Sequence, residues 1–191
     1  FSPSGELIDD IPSNLQLVGL DDNTRIRLIL RRFPQGEPPN ELVLECPPVS
    51  RNLLFCQTGA FSQGSMQWSP FSQFGTEMAL INGDRRLRLV QMYDQESRLD
   101  KLTLIREKLA GTESQEKPHL TIEQLLGEWQ GEAVTIYPDW REGEPVTTRV
   151  KIEQTEDNWL HTQITYNNTI IDSKARIKGT RLLIEKEEFS Q

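Results

Sequence analysis

The sequence predicts an all-β protein of two consecutive antiparallel β-barrel domains, with a short helix at the start of the second. Three observations lead to this prediction. Short apolar runs recur roughly every ten residues, and tight-turn signals separate them. Residues 110–118 then contain a single apolar side chain, which is typical of a linker. We therefore assign residues 1–110 to the first domain and 119–191 to the second.

The first domain opens with an alternating segment in which Ile26, Leu28 and Leu30 are interleaved with arginines, the period of a half-buried strand. Two prolines after Cys46 end the next apolar run, because proline cannot donate to a strand ladder. Asn82-Gly83-Asp84 predicts a hairpin, since Asn and Gly tolerate positive φ. The remaining predicted strands are 42–44, 53–55, 59–68, 74–81 and 86–93.

The segment 99–109 fits two patterns. Leu102 and Leu104 alternate as in a strand, whereas Leu99, Leu102, Ile105 and Leu109 also form a helical stripe. We favour a strand over about 99–106 that closes the first domain.

The second domain begins with a short helix at Thr121, where Thr121-Ile122-Glu123-Gln124 has the capping-box pattern, and Gly127 ends it. Predicted strands follow at 128–137, 145–155, 158–167, 169–178 and 180–187. Asn167-Asn168 and Lys178-Gly179 predict two-residue hairpin loops, because Asn and Gly reach the left-handed region at low cost.

A faint internal repeat relates the two domains. Ser2-Pro3-Ser4-Gly5 follows an aromatic residue and forms a polar turn, as Pro138-Asp139 does after Tyr137. If these segments correspond, the first barrel lacks its first strand. The second has too few strands to close, so we expect it to be truncated at its C-terminus.

Composition excludes several classes of protein. The formal net charge of -8 argues against nucleic-acid binding, which needs a basic surface. No apolar run approaches the roughly 20 residues of a membrane span. No signal-peptide pattern is present, so we expect a cytoplasmic protein, or a stromal one in a chloroplast. Cys46 and Cys56 lie in apolar runs, which predicts two buried thiols.

The sequence offers no catalytic or cofactor-binding pattern. His119 and His161 are the two histidines, and neither has Cys, Asp or Glu at ligand spacing, so we predict no metal site. No nucleophile elbow, phosphate loop or dinucleotide fingerprint occurs. We therefore predict that the protein is not an enzyme and has no cofactor.

Two sets of residues are candidate binding positions. Arg25, Arg27 and Arg31 share one strand face, which is either a solvated outer surface or a basic stripe that docks an acidic protein. Trp140 lies on a turn between charged residues and is a candidate anchor for a partner. Trp68, Trp129 and Trp159 are candidates for lining or plugging a barrel, with ordinary core packing as the alternative.

Several short motifs resemble one known family. They are Phe1-Ser2-Pro3-Ser4-Gly5-Glu6, Phe74-Gly75-Thr76-Glu77, the runs 86–93 and 99–107, and Gly127-Glu128-Trp129-Gln130-Gly131. Together they resemble the lipocalin-like family of cyanobacteria and chloroplasts, formerly a domain of unknown function, which includes a chloroplast ATP-synthase biogenesis factor. The resemblance implies two lipocalin-like (calycin) barrels and no enzymatic activity. In that family, Trp129 would plug the closed end of a barrel.

The resemblance also implies a function. We expect a protein-binding assembly factor of photosynthetic cells that assists assembly of the ATP synthase catalytic head by contacting its subunits. The alternative is a carrier that binds a small apolar ligand, a lipid or a pigment, in a barrel cavity. Capture of a defined protein complex would favour the first, and a persistently bound small molecule the second.

Overall fold

Residues Arg25–Arg32 show why this sequence forms strands. Ile26, Leu28 and Leu30 are half-buried, while Arg25 and Arg27 on the alternate positions are exposed. Side chains in an extended chain point to opposite sides in turn, so this pattern gives one apolar and one polar face. The same alternation of half-buried and exposed side chains recurs over most of Val146–Glu156.

The computed structural model describes residues 1–191 except 23, 47–51, 57–58, 66–72, 114, 117, 119, 136, 138, 140, 142, 180 and 186–191; for Phe55, Arg181 and Glu185 it describes the backbone alone. Within the described residues the chain is all-β, with three antiparallel sheets and one short helix. The chain divides into two units, Phe1–Thr112 and Glu113–Gln191.

The first unit contains two sheets. A three-stranded sheet has the order β1-β2-β3, and a five-stranded sheet has the order β4 to β8. The strands are β1 (Ser13–Leu20), β2 (Arg25–Arg32), β3 (Asn40–Cys46), β4 (Leu53–Phe55), β5 (Phe61–Gly64), β6 (Phe74–Asn82), β7 (Arg85–Tyr93) and β8 (Leu99–Lys108).

The second unit contains a helix of four residues and one five-stranded meander. The helix is α1 (Ile122–Leu125), and the backbone amide of Thr121 donates to Gln124 Oε1 at 3.0 Å. The sheet has the order β13 to β9. Its strands are β9 (Gly127–Ala133), β10 (Val146–Glu156), β11 (Trp159–Tyr166), β12 (Thr169–Lys178) and β13 (Arg181–Glu185).

The buried residues lie within the five-stranded sheets. In the first unit Ala79 is 2% exposed and pairs with Phe61 on one side and Arg88 on the other. In the second unit Leu160 is 1% exposed and lies directly opposite Ala175, which is also buried. Each core is therefore anchored at a cross-strand pair on a central strand.

Most predicted strands are confirmed at least in part, including β8 as a strand rather than a helix. The ends 66–68 and 186–187 of two predicted strands lie outside the described residues. β1 was not predicted, although Leu15 and Leu17 alternate with polar residues in it. The turn at Asn167-Asn168 is confirmed, with Asn167 at φ 53°. The last hairpin turn lies one residue later than predicted, because Lys178 pairs with Arg181. In the described part of the chain the first and last strands of each sheet are not paired with each other, so the closed barrels stay a prediction.

Candidate protein-binding surfaces

One side of the three-stranded sheet carries the predicted arginines, and we call it the arginine face: Arg25, Arg27 and Arg31 of β2 with Glu41 and Glu45 of β3. The register of β2 with β3 places Arg27 directly opposite Glu45 and Arg31 directly opposite Glu41. Arg27 Nη2 lies 2.7 Å from Glu45 Oε1, and Arg31 Nε lies 2.6 Å from Glu41 Oε2. The arginines are thus on one face, as predicted, but each faces a carboxylate.

Arg25 completes this network at the end of the strand. Its guanidinium contacts Asp21 at 2.8 Å and Glu45 at 3.2 Å. The hydrogen bond from Arg27 lowers the pKa of Glu45, with the charges of Arg27 and Arg25 acting in the same direction. The face therefore carries opposite charges on both sides of the apolar pair Ile29 and Val43. Of the two sequence-based interpretations, the basic stripe took no account of the glutamates of β3.

The opposite side of the same sheet is apolar, and we call it the leucine face. Cross-strand pairing aligns its leucines in two rows of three, one from each strand. Leu17, Leu42 and Leu44 are each about half exposed. The members are Leu15, Leu30 and Leu42 in one row and Leu17, Leu28 and Leu44 in the other.

A charged cluster crosses three strands of the second sheet. Arg88 on β7 is 9% exposed; its Nη1 donates to Glu77 Oε1 on β6 at 2.8 Å, and its Nη2 donates to Glu107 Oε1 on β8 at 2.8 Å. Arg86 Nε donates to Glu107 Oε2 at 2.5 Å. Burial opposes ionisation of Arg88, but the hydrogen bonds and charges of Glu107 and Glu77 outweigh it and raise the pKa of Arg88. These contacts tie β6, β7 and β8 together.

Two of the four tryptophans, Trp129 and Trp159, lie among the described residues. Trp129 is 53% exposed, and its Nε1 donates to the carbonyl of Leu125 at 2.9 Å. It begins a cross-strand row with Val150, Ile164 and Ile171. Trp159 is half-buried at the start of β11. Trp68 and Trp140 lie outside the described residues, so their predicted roles stay predictions, as does the plug role of Trp129.

An open surface pocket lies among the described residues of each unit. The first has a volume of about 300 Å³ and lies beside Glu77, between Gln63 and Met92. The second has a volume of about 400 Å³; it is lined by Tyr137, Arg141 and Tyr166, and Arg141 stacks 3.9 Å from the centre of the Tyr137 ring. Neither is lined by a described tryptophan.

One of the two histidines and both cysteines lie among the residues that the structure describes. His161 Nε2 lies 3.0 Å from Asp172 Oδ1, and Gln163 shares the same oxygen at 3.2 Å. Within the described residues no three His, Cys, Asp or Glu side chains group as metal ligands, and His119 lies outside them. The prediction of buried thiols is wrong: Cys46 and Cys56 are both exposed, because Cys46 ends an edge strand and Cys56 follows a short one.

None of the described helices is both long and apolar enough to cross a bilayer.

Comparisons with known proteins identify relatives of both units. Residues 1–112 match the family model described as Domain of unknown function (DUF3598), N-terminal. Residues 116–191 match the model described as Biogenesis factor required for ATP synthase 1, C-terminal domain. No curated protein matches the chain.

A solved crystal structure supports the same relationship. It is a protein of unknown function of the DUF3598 family from Nostoc punctiforme, 43% identical in sequence with a TM-score of 0.83. The match covers 98% of this chain and 68% of the Nostoc protein. The chain therefore belongs to the DUF3598 family, with a second part that matches the C-terminal domain of an ATP-synthase biogenesis factor.

Proposed function

We propose that this protein is a non-enzymatic assembly factor that binds subunits of the ATP synthase catalytic head. The observation that carries the proposal is the match of residues 116–191 to the C-terminal domain of a biogenesis factor required for ATP synthase. Such a factor would act in the cytoplasm of a cyanobacterium or the stroma of a chloroplast, where the head is assembled. The pockets and family matches lend no support to the carrier alternative.

The experiment that tests the proposal is direct binding. The purified protein is immobilised and offered each purified subunit of the catalytic head, and separately the assembled head. We expect at least one free subunit to bind and the assembled head to bind more weakly, because an assembly factor must leave its product. Failure of every subunit to bind at about 10 μM, a weak affinity for a specific complex, contradicts the proposal.

The arginine face and Trp140 are the proposed contact residues. Removing charge from Arg25, Arg27 and Arg31 with Gln tests whether their cations meet an acidic partner. The matched variant replaces Glu41 and Glu45 with Gln and leaves the arginines uncompensated. If the arginines dock, the first variant weakens binding, the second strengthens it, and both effects shrink with added salt. If both variants bind as tightly as the unaltered protein, this face is excluded as the contact. Trp140→Ala tests the second candidate, the Trp140 anchor, independently.

We also propose that the sheets belong to lipocalin-like barrels, the first over residues 1–110 and the second over 119–191. The support is that the leucine face is apolar while the arginine face behind it is charged, as expected for an inner and an outer barrel surface. Leu44 and Val43 are adjacent on β3 and about equally exposed. If Leu44 faces a closed interior, Leu44→Asn lowers the free energy of unfolding by about 1–3 kcal/mol and Val43→Asn does not. Equal effects of the two variants argue against closure.

A further inference from the structure

The arginine face carries the same order of charges at both ends of an apolar pair. Three rows of this face join a residue of β2 to a residue of β3, and the two outer rows join a cation to an anion. The rows are Arg27 with Glu45, Ile29 with Val43, and Arg31 with Glu41. Successive residues on one face of a strand are two positions apart, so the rows follow one another at intervals of about 7 Å. The cations therefore form one column on β2, and the anions form a parallel column on β3.

These two columns are complementary to the same columns in a second copy of the chain. A two-fold axis parallel to the strands, midway between β2 and β3, places β2 of one copy over β3 of the other and keeps each row at its own height. Arg27 then faces Glu45 of the other copy, and in the central row Ile29 faces Val43. Two-fold symmetry of this kind, in which the same patch meets itself, is the commonest arrangement of protein dimers.

Charge selects this orientation over the other two-fold pairing of the same face. An axis that crosses the strands at the row of Ile29 would place the two arginines of the outer rows over each other, and the two glutamates likewise. Like charges directly opposite each other repel and disfavour that arrangement. Sheets that pack face to face cross at angles of up to about 30°, which shifts the outer rows slightly and leaves the central row in place.

The side chains of the two outer rows are available for contact on their solvent side. Those of Arg27 and Glu45 are 44% and 35% exposed, and those of Arg31 and Glu41 are each 46% exposed. In the paired arrangement each guanidinium meets a second carboxylate while keeping its own, so two squares of alternating charge flank an apolar centre. A polar rim around an apolar centre is the usual construction of a protein interface. Strands added beside β1 or β3 would pair at the edges of the sheet and would not cover this face.

The size of the face sets the strength of the association. Two overlapping strands of the lengths of β2 and β3 measure about 10 Å by about 25 Å. This area is well below the roughly 800 Å² that each partner contributes to a stable complex. A dimer formed through this face is therefore weak, and its two copies separate readily.

We propose that two copies of this protein associate through the arginine face, with β2 of each copy over β3 of the other about a two-fold axis parallel to the strands. This inference goes beyond the proposed function and does not depend on it. The two are connected, because a subunit that docks on the arginines has to displace the second copy. Self-association would therefore keep the arginine face covered in the free protein and release it when the subunit binds.

The first test is sedimentation equilibrium of the purified protein over a range of concentrations. We expect monomer at about 1 μM and dimer as the main species at about 1 mM, as for a weak interface. Added salt should shift the equilibrium toward monomer, because it screens the exposed charges. Val43→Asp, which puts a charge in the central row, should raise the dissociation constant by about tenfold or more. Val134→Asp is the control, since Val134 is 60% exposed in the second unit; it should change the constant by less than about twofold.

Exchange of charges identifies the face that associates. In an acidic variant, Arg27→Glu and Arg31→Glu make both columns negative; in a basic variant, Glu41→Arg and Glu45→Arg make both columns positive. Each variant alone should stay monomeric at about 1 mM, whereas an equimolar mixture should form a heterodimer. Exposed ion pairs contribute little to stability, so both variants should fold, and circular dichroism checks the fold before mixing. The variant with all four substitutions exchanges the two columns and should associate with itself again.

The inference is overturned if the unaltered protein stays monomeric at about 1 mM. It is also overturned if the acidic or the basic variant still associates alone, or if the folded variants do not associate when mixed. None of these experiments uses a subunit, so the proposed function can fail while the inference holds. Conversely, a subunit that binds a protein which never associates with itself leaves the proposed function in place and removes the second copy.

Discussion

Arg88 and Glu107 form a two-point ion pair across β7 and β8. Arg88 Nε donates to Glu107 Oε2 at 3.0 Å and Nη2 donates to Oε1 at 2.8 Å. The fork of a guanidinium matches the two oxygens of a carboxylate, so this pair is both stronger and more directional than a single contact. The side chains are only 11% and 18% exposed, which sets them apart from the surface pairs of the arginine face.

Neutralising Glu107 should therefore destabilise the first unit. In Glu107→Gln the Arg88 and Arg86 cations lose their shared carboxylate while Arg88 stays buried, and we expect a loss of about 2 kcal/mol in the free energy of unfolding. Urea denaturation followed by circular dichroism measures it. Glu96→Gln is the matched control, since Glu96 pairs with Arg98 on an exposed turn; its transition should not move. If the two variants have equal urea midpoints, the buried ion pair stabilises the protein no more than the exposed one.

The Glu107 carboxylate should also make the stability of the first unit sensitive to acid. Burial raises the pKa of Glu107, but hydrogen bonds from Arg86 and Arg88 outweigh it, and the net pKa lies below the ordinary 4.5. When a carboxyl group has a lower pKa in the folded state than in the unfolded state, its ionisation stabilises the fold. That contribution is complete above the unfolded-state pKa and is lost as the pH falls through the folded-state pKa. Unfolding free energies measured between pH 7 and pH 3 should fall below about pH 4.5. The fall should be shallower in Glu107→Gln, and identical slopes would contradict the assignment.

Gly143 should not tolerate a side chain. A Cβ at this position would overlap the carbonyl oxygen of Thr135, a backbone atom that cannot move aside alone. Gly143→Ala should cost about 1–3 kcal/mol of the second unit's stability, as overpacking does elsewhere. Gly131→Ala is the control, because its nearest neighbour is Thr148 Oγ1 at 3.5 Å. Thermal denaturation of both variants makes the comparison, and matching midpoints would disprove the close approach.

Both cysteines should react in the native protein. Cys46 and Cys56 are exposed, so a thiol reagent such as DTNB should modify two thiols per chain without denaturant. Cys46→Ser and Cys56→Ser should each reduce the count by one. If the thiols react only in denaturant, they are buried, as the sequence predicts.

Local patterns predicted the strands well where turn chemistry and alternation agree. Asn82 and Gly83 locate the hairpin between β6 and β7, and the Leu102 and Leu104 alternation identifies β8. β1 was not predicted because its alternation is short: Leu15 and Leu17 alternate with Asn14 and Gln16, but Val18 then follows Leu17 directly.

Contacts between distant residues were harder to predict. Arg25 and Glu45 are 20 residues apart, and their ion pair depends on the register of β2 with β3. No local pattern fixes that register, so the arginines were predicted on one face but their partners were not. The cysteines show a related limit: an apolar run predicts a strand, but not whether its last residue lies at an uncovered edge.

The lengths of the connections between strands should determine where related sequences can gain or lose residues. Tyr166 pairs with Thr169 across two residues, so any insertion there would shift β12 against β11 and turn Ile171 away from the row with Trp129. Arg32 and Asn40 bound a longer connection between β2 and β3, which can gain or lose residues without changing the pairing of the leucines. Insertions and deletions in homologous sequences should therefore gather at 33–39 and spare 167–168.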